Sequence, residues 1–316
     1  MNVSTNAPAK IILLGEHAVV YSQPALAIPV SSLRAQVTII PNDPPESVLK
    51  LMAGDLVAHL PLIYKTSEVR HTLLKVIQLV QQHAKLPLPD ATLYVESTIP
   101  IASGLGSGAA VSTALTRALF ASMNFNVSNE AINEIVFEVE KHYHGTPSGI
   151  DNTVIVYEQP LFYVRNQPME TITVGETLTF LIADTGVGAS TKVAVSAVRD
   201  LVTNQPAEYE PIVEQIGSLV KQARQAIEEG DALLLGSLMN KNHTLLQILT
   251  VSSPELDQLV QVAQSHGALG AKLSGGGRGG NMIALVTPNT VDEVREALLN
   301  AGAKNIYETQ LKATSY

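Results

Sequence analysis

Hydrophobic and polar positions along the chain follow two periods. Strand-like runs come early, in AKIILLG (Ala9–Gly15), RAQVTII (Arg34–Ile40) and ATLYVEST (Ala91–Thr98). In the last of these, Leu93 and Val95 alternate with Tyr94 and Glu96, as in a half-buried strand. Between the second and third lies SEVRHTLLKVIQLVQQHAK, whose Val69, Leu73, Val76, Ile77 and Val80 repeat at helical spacing. A second helical stripe, Val111, Ala114, Leu115, Ala118 and Leu119, follows a glycine-rich turn. NEAINEIVFEVEKHYHG reads as a third helix, opened by Ser128 as N-cap and closed by Gly145.

The texture changes around Leu178. TLTFLIADTG reads as a strand, and acidic, glutamine-bearing helices run from about Thr191 to Gly267. The ending predicts a strand (Ala268–Leu273), a glycine cluster (Gly275–Gly280), a strand (Met282–Val286), a helix (Val291–Asn300) and a strand (Asn305–Gln310). Strands and helices in non-strict alternation predict an α+β fold rather than a doubly wound parallel sheet. The change of texture puts a boundary near residue 180, hence domains 1–180 and 181–316, within the usual domain size of roughly 100–200 residues.

Composition narrows the class. With 46% hydrophobic and 16% charged residues, the chain can bury a substantial core. A net charge of −9 carries no basic footprint, which argues against nucleic acid as a partner. There is no cysteine, so disulfides, thiolate metal sites and cysteine nucleophiles are excluded. The opening MNVSTNAPAK lacks the apolar core of a signal peptide, and no apolar run reaches the ~18 uncharged residues of a membrane span. The expectation is a soluble cytoplasmic protein without a membrane partner.

IPIASGLGSGAAVSTAL, Ile99 to Leu115, places Gly104, Gly106 and Gly108 between a strand-like and a helix-like run. Glycines there either only permit a tight bend or let an anion approach the backbone closely. The turn opens a helix, whose first N–H groups lack partners and whose dipole end is positive, and Ser107 adds a hydroxyl. Neither familiar phosphate motif fits. There is no G-x-x-x-x-G-K-[ST], and the glycine spacing is wrong for the dinucleotide fingerprint.

Three further segments accompany the turn: PAKIILLGEHAVVYSQPALAIPV (Pro8–Val30), EKHYHGTPSGIDN (Glu140–Asn152) and KLSGGGRGGNMIAL (Lys272–Leu285). Together and in this order they resemble the GHMP kinase superfamily and, within it, the mevalonate kinases, over nearly the whole chain from Lys10 to Leu285. GEHAVVY followed by PALA is the discriminating piece. The resemblance implies a two-domain GHMP kinase fold, with a ribosomal-protein-S5-like N-terminal domain and a ferredoxin-like C-terminal domain. It also implies ATP and mevalonate as substrates bound between the domains, Mg²⁺ as cofactor, phosphorylation of the C5 hydroxyl, and often a homodimer.

Residue by residue, the resemblance implies the following roles. Asp151 is the general base and Lys10 its cationic partner; a lysine in an apolar-flanked strand is costly to bury without an anion. Gly104, Leu105, Gly106, Ser107, Gly108 and Ala109 cradle the ATP phosphates, and Glu140 holds Mg²⁺. Glu16, His17, Ser148, Thr191 and Gly276 line the acceptor pocket, although Thr191 also stands where an ordinary helix cap would. Relatives usually read GLGSSA, with the second serine on the metal. Here that position is Gly108, so either Ser107 serves the metal or a water replaces the missing ligand. Arg278 stands where relatives often have glycine, and it either reaches a phosphate or faces solvent. His142 and His144, two apart, do not share a helix face and read as structural.

Two rival readings stay open. One is another kinase of the superfamily acting on phosphomevalonate, a sugar or homoserine, which should need extra basic or polar pocket residues. The other is a catalytically silent ligand sensor on the same fold, which should have lost Asp151 or Lys10.

Overall fold

The computed structural model describes residues 2–54, 56–64, 71–100, 103–144, 147–188 and 190–314. In chain order it runs β1 (Val3–Leu14), a 3-10 turn (Ala18–Tyr21), β2 (Ala25–Pro41), β3 (Val48–Ala53), β4 (Leu56–Pro61), α1 (Thr72–Ala84), β5 (Ala91–Ser97), α2 (Ser107–Ser122), α3 (Asn129–His144) and α4 (Ile150–Tyr157). There follow β6 (Leu161–Tyr163), β7 (Glu170–Thr171), β8 (Leu178–Asp184), α5 (Thr191–Asn204), α6 (Pro206–Glu229), α7 (Ala232–Ile248), α8 (Pro254–Ser265), β9 (Gly270–Ser274), β10 (Asn281–Val286), α9 (Val291–Asn300) and β11 (Asn305–Leu311). The chain forms two compact units. One gathers Met1–Ala9, Leu33–Ile101 and Leu105–Glu158, the other Lys10–Ser32, Ala102–Gly104 and Gln159–Tyr316.

In the first unit the strand order is β4-β3-β5-β2. β3 and β4 make an antiparallel hairpin, β3 runs parallel to β5, and β5 pairs antiparallel with β2 so that Val95 faces Val37. The alternation read in the sequence has its expected effect here. Leu49, Leu51, Leu93 and Val37 turn inward, while Tyr94 and Val57 stay exposed. α1 buries Val76, Ile77 and Val80 as its stripe predicts; Val69 lies outside the described residues. Ser128 caps α3, its hydroxyl accepting the Ala131 N–H at 3.3 Å, and the expected stop at Gly145 lies outside the described residues. α2 departs from the one-sided stripe: Ala109, Ala110, Ser112, Thr113, Thr116 and Phe120 are buried as well. A helix made mostly of small residues can be packed on nearly all sides. Two of its interior hydroxyls turn back on the helix, Thr113 and Thr116 each donating at 2.8 Å to the carbonyl four residues earlier.

In the second unit β8, β9, β10 and β11 form an antiparallel sheet of order β11-β8-β10-β9. The first and third strands in sequence lie central and the chain returns through α9, which is the ferredoxin-like arrangement. Leu181, Ala183, Leu273, Met282 and Ala284 share one buried cluster with Val198, Leu256, Leu259, Val294 and Leu298 from the helices. β10 is buried along its whole length, so its sequence NMIALV shows no alternation. Several boundaries move relative to the sequence reading: β1 begins at Val3 and β2 at Ala25, earlier than the apolar runs suggested, and β9 begins at Gly270. The β3–β4 hairpin, α4, β6 and β7 had not been read from the sequence at all.

Candidate active site

The glycine-rich turn behaves as an open helix start. Gly106 is the N-cap of α2 at φ 75°, a left-handed conformation that favours glycine, and it offers no side chain to cap the helix. The first intrahelical bond runs from Ala110 N–H to Gly106 O at 2.9 Å, which leaves the N–H groups of Ser107, Gly108 and Ala109 before it. No acidic residue occupies the first turn to compete for an anion. Leu105 is buried beneath the turn, and Gly108 is exposed.

Glu140 is buried on α3, and its carboxylate comes to the start of α2, where a Cβ built on Gly108 would lie 3.6 Å from Glu140 Oε1. Seven residues earlier on the same face, Asn133 accepts from Asn152 Nδ2 at 2.6 Å and donates to Thr153 Oγ1 at 3.2 Å. One face of α3 therefore positions both the Glu140 carboxylate and α4. Asp151 sits in the first turn of α4, entered through Gly149 at φ 86°. Ser148 Oγ accepts the Ile150 N–H at 3.3 Å, so its hydroxyl already serves the local turn.

The remaining residues belong to the second unit. Lys10 is buried in β1, and two residues on, Ile12 O accepts from Ser274 Oγ at 2.7 Å. Glu16 is buried against Lys272, whose ammonium donates to Glu16 Oε1 and, at 2.5 Å, to Leu273 O. His17 stands at φ 61° and its Nε2–H donates to Gly276 O at 3.0 Å, which leaves Nδ1 a buried acceptor without a partner. Burial lowers the His17 pKa from 6.5 to about 4; the Gly276 carbonyl opposes the shift, and Arg278 and Lys272 add to it. His17 is therefore neutral at pH 7.

The cap of α5 is the neighbour of Thr191: Ser190 Oγ accepts the Val193 N–H at 3.4 Å, so the Thr191 hydroxyl does not serve as the cap. Thr191 Oγ1 would lie 2.8 Å from a Cβ on Gly276, so the glycine there permits close approach. Arg278, at φ 61°, donates from Nε to Thr250 O at 3.3 Å. The loop entering the glycine turn is held to β10, where Asn281 Nδ2 donates to Ser103 O at 2.7 Å.

The structure thus assembles the predicted residues in two groups. Ser107, Gly108 and Glu140 adjoin in the first unit, where Ser148 and Asp151 share the start of α4. Glu16, His17, Gly276 and Thr191 adjoin in the second unit, which also carries Lys10. His142 is exposed on α3, and the side chain of His144 lies outside the described residues. Lys272 and His243 were missed by sequence reading. A lysine between apolar residues in GAKLSG carries the same signal that marked Lys10.

The residues present suit Mg²⁺. Among the described residues no three His, Asp or Glu side chains form a ready-made cage. Mg²⁺ is commonly held by one or two carboxylates, waters and substrate phosphates instead. A buried carboxylate facing an open helix start and a serine hydroxyl supplies hard oxygen donors of that kind.

Comparison with known proteins gives a consistent picture. The GHMP kinases N terminal domain model matches residues 71–159, and the GHMP kinases C terminal model matches residues 223–304. A mevalonate kinase of Pyrococcus abyssi is 37% identical over 318 residues, covering 95% of this chain and 93% of that protein. One of Thermococcus onnurineus is 36% identical over 320 residues, covering 96% and 94%. The crystal structure of L. major mevalonate kinase in complex with R-mevalonate has a TM-score of 0.84 to this chain at 31% identity, covering 99% of this chain and 97% of that one. By its two domain matches and its near-full-length relatives, the chain belongs to the GHMP kinases and, among them, to the mevalonate kinases.

Proposed function

We propose that the chain transfers the γ-phosphoryl group of ATP to the C5 hydroxyl of mevalonate, giving mevalonate 5-phosphate and ADP. The observation that carries this reading is full-length similarity, at 31% identity and a TM-score of 0.84, to a kinase whose structure was solved with R-mevalonate. The chemistry of the residues agrees with it. The N–H groups of Ser107–Ala109 bind the phosphates at the open start of α2. Glu140 and Ser107 hold Mg²⁺, which when bound neutralises charge on the phosphates.

Asp151 takes the proton of the attacking hydroxyl as the new oxygen–phosphorus bond forms and the bond from γ-phosphorus to the bridging oxygen breaks. ADP leaves with that electron pair. Lys10 supplies positive charge at the transferred oxygens. Glu16 and His17 accept hydrogen bonds from the acceptor, and neutral His17 can do so through Nδ1. Thr191 and Ser148 offer further hydroxyls to the acceptor. Among the described residues no helix is long and apolar enough to cross a membrane, and the proposed place of action is the cytoplasm.

The test is ADP release by the purified chain with ATP and Mg²⁺, offered mevalonate, phosphomevalonate, galactose and homoserine separately. ADP should appear with mevalonate alone. Equal turnover of galactose or phosphomevalonate overturns the substrate assignment, and no turnover of any of the four overturns the enzyme reading.

A further inference from the structure

We propose that Lys272 is a positioning residue for the alcohol substrate, holding the Glu16 carboxylate so that Oε2 is left to accept a substrate hydroxyl. The inference rests on the function proposed above.

Lys272 is fully buried, with 0% exposure. Its ammonium satisfies two of its three donors within the protein, on Glu16 Oε1 and Leu273 O. Burial pulls its pKa down, and the Glu16 carboxylate opposes that pull. Replacing such a pair with apolar side chains of similar volume is commonly neutral or stabilising, so stability alone does not account for it. What the pair does supply is a fixed anion. Glu16 Oε2 is buried without a hydrogen-bond partner, and so is His17 Nδ1 on the next residue. Buried polar atoms without partners are few in folded proteins. Two adjacent buried acceptors suit a ligand that brings O–H donors.

Lys272 is in turn held rigidly. β9 is an edge strand, and its outward N–H groups are taken by side chains of α7. Ala271 N–H donates to Asn240 Oδ1 at 2.8 Å and Leu273 N–H to His243 Nδ1 at 3.3 Å. Asn240 and His243, three apart, share one helix face. His243 is locked in that tautomer because its Nε2–H donates to Asp257 Oδ1 at 3.1 Å, and Ser252 Oγ donates to the same oxygen at 2.5 Å. Two further ties, Ser274 Oγ to Ile12 O and His17 Nε2–H to Gly276 O, join the segments 12–17 and 272–276. Removing the ammonium leaves Glu16 buried and uncompensated; it then loses its charge or swings away, and either way the charge-assisted hydrogen bond to the substrate hydroxyl is lost.

The experiment measures KM for mevalonate and for ATP in the wild-type chain, Lys272→Met, Glu16→Gln and the charge-neutral double variant. Loss of one charge-assisted hydrogen bond predicts a rise in KM for mevalonate of roughly tenfold or more in Lys272→Met, with KM for ATP changed less than about twofold. The double variant, which leaves no unpaired buried charge, should fold and lose no more than Glu16→Gln alone. Lys272→Met with a lowered melting temperature but wild-type KM for mevalonate overturns the proposal. If Lys272→Met fails to fold, the comparison of Glu16→Gln with the double variant decides: equal losses support the role, and a larger loss in the double variant overturns it. Failure of the wild type to use mevalonate would instead refute the function proposed above.

Discussion

Acidification from pH 8 to pH 5 should destabilise this chain through His17. The imidazole is 5% exposed, and its pKa is lowered from 6.5 to about 4 by burial first, with Arg278 and Lys272 adding to the shift. The unfolded chain therefore binds the proton at a higher pH than the folded one. The stability contribution is complete above the ordinary value of 6.5 and is lost as pH falls from there toward 4. For that pair of values, the loss at pH 5 is about 2 kcal/mol, and at pH 4 about 3 kcal/mol. His243 is shifted in the same direction by burial, with Asp257 opposing, so the wild-type loss is not due to His17 alone. Urea unfolding of the wild type and His17→Gln at both pH values separates them. A glutamine can still donate to the Gly276 carbonyl but does not titrate. The pH-dependent loss should be about 2 kcal/mol smaller in the variant. Equal losses in the two proteins would refute the assignment of a neutral, buried His17.

The other expectations concern the first unit and the glycine cluster. Asp151→Asn should lower turnover by about 10²–10⁴-fold while nucleotide binding, read by titration, is kept; near-normal turnover would sink the base assignment. Gly108→Ser should fold with stability within ~1 kcal/mol of wild type, since its Cβ meets only Glu140 Oε1, at 3.6 Å. It should also lower the Mg²⁺ concentration needed for half-maximal activity, and a raised requirement in a Mg²⁺ titration would count against the metal site. Gly277→Ala is the contrasting case, for there φ is +73° and a Cβ would lie 1.9 Å from Val251 O. A loss of more than ~2 kcal/mol is expected in thermal unfolding, and a neutral result would contradict the loop conformation.

Much of the fold was legible from local pattern. β5 and α9 lie almost where alternation and helical spacing put them, because each carries its whole signal within one short window. Ser128 was recognised as a cap from its position alone. The weaker readings share a cause. The β3–β4 hairpin has a half-exposed, polar-interrupted strand pair with little contrast between faces, and α4 is only eight residues long and opens on a glycine. Thr191 could be read as either cap or pocket residue until Ser190 was seen to hold the cap. The glycine turn was readable as an uncapped helix start from its place before a helical stripe, but the carboxylate beside it belongs to a different helix.

The order of residues alone therefore determined the strands and helices with a strong local pattern, where the helix start with open amides falls, and that no cysteine chemistry is available. Periodicity, caps and residue type act within a few positions, so one dimension suffices to see them. Tertiary structure decided which distant residues share a site: Glu140 with Gly108, Thr191 with Gly276, and Lys272 with Glu16 across 256 positions. Those pairings depend on strand register and on which helix face meets which neighbour. They are properties of the packed chain that no local window contains.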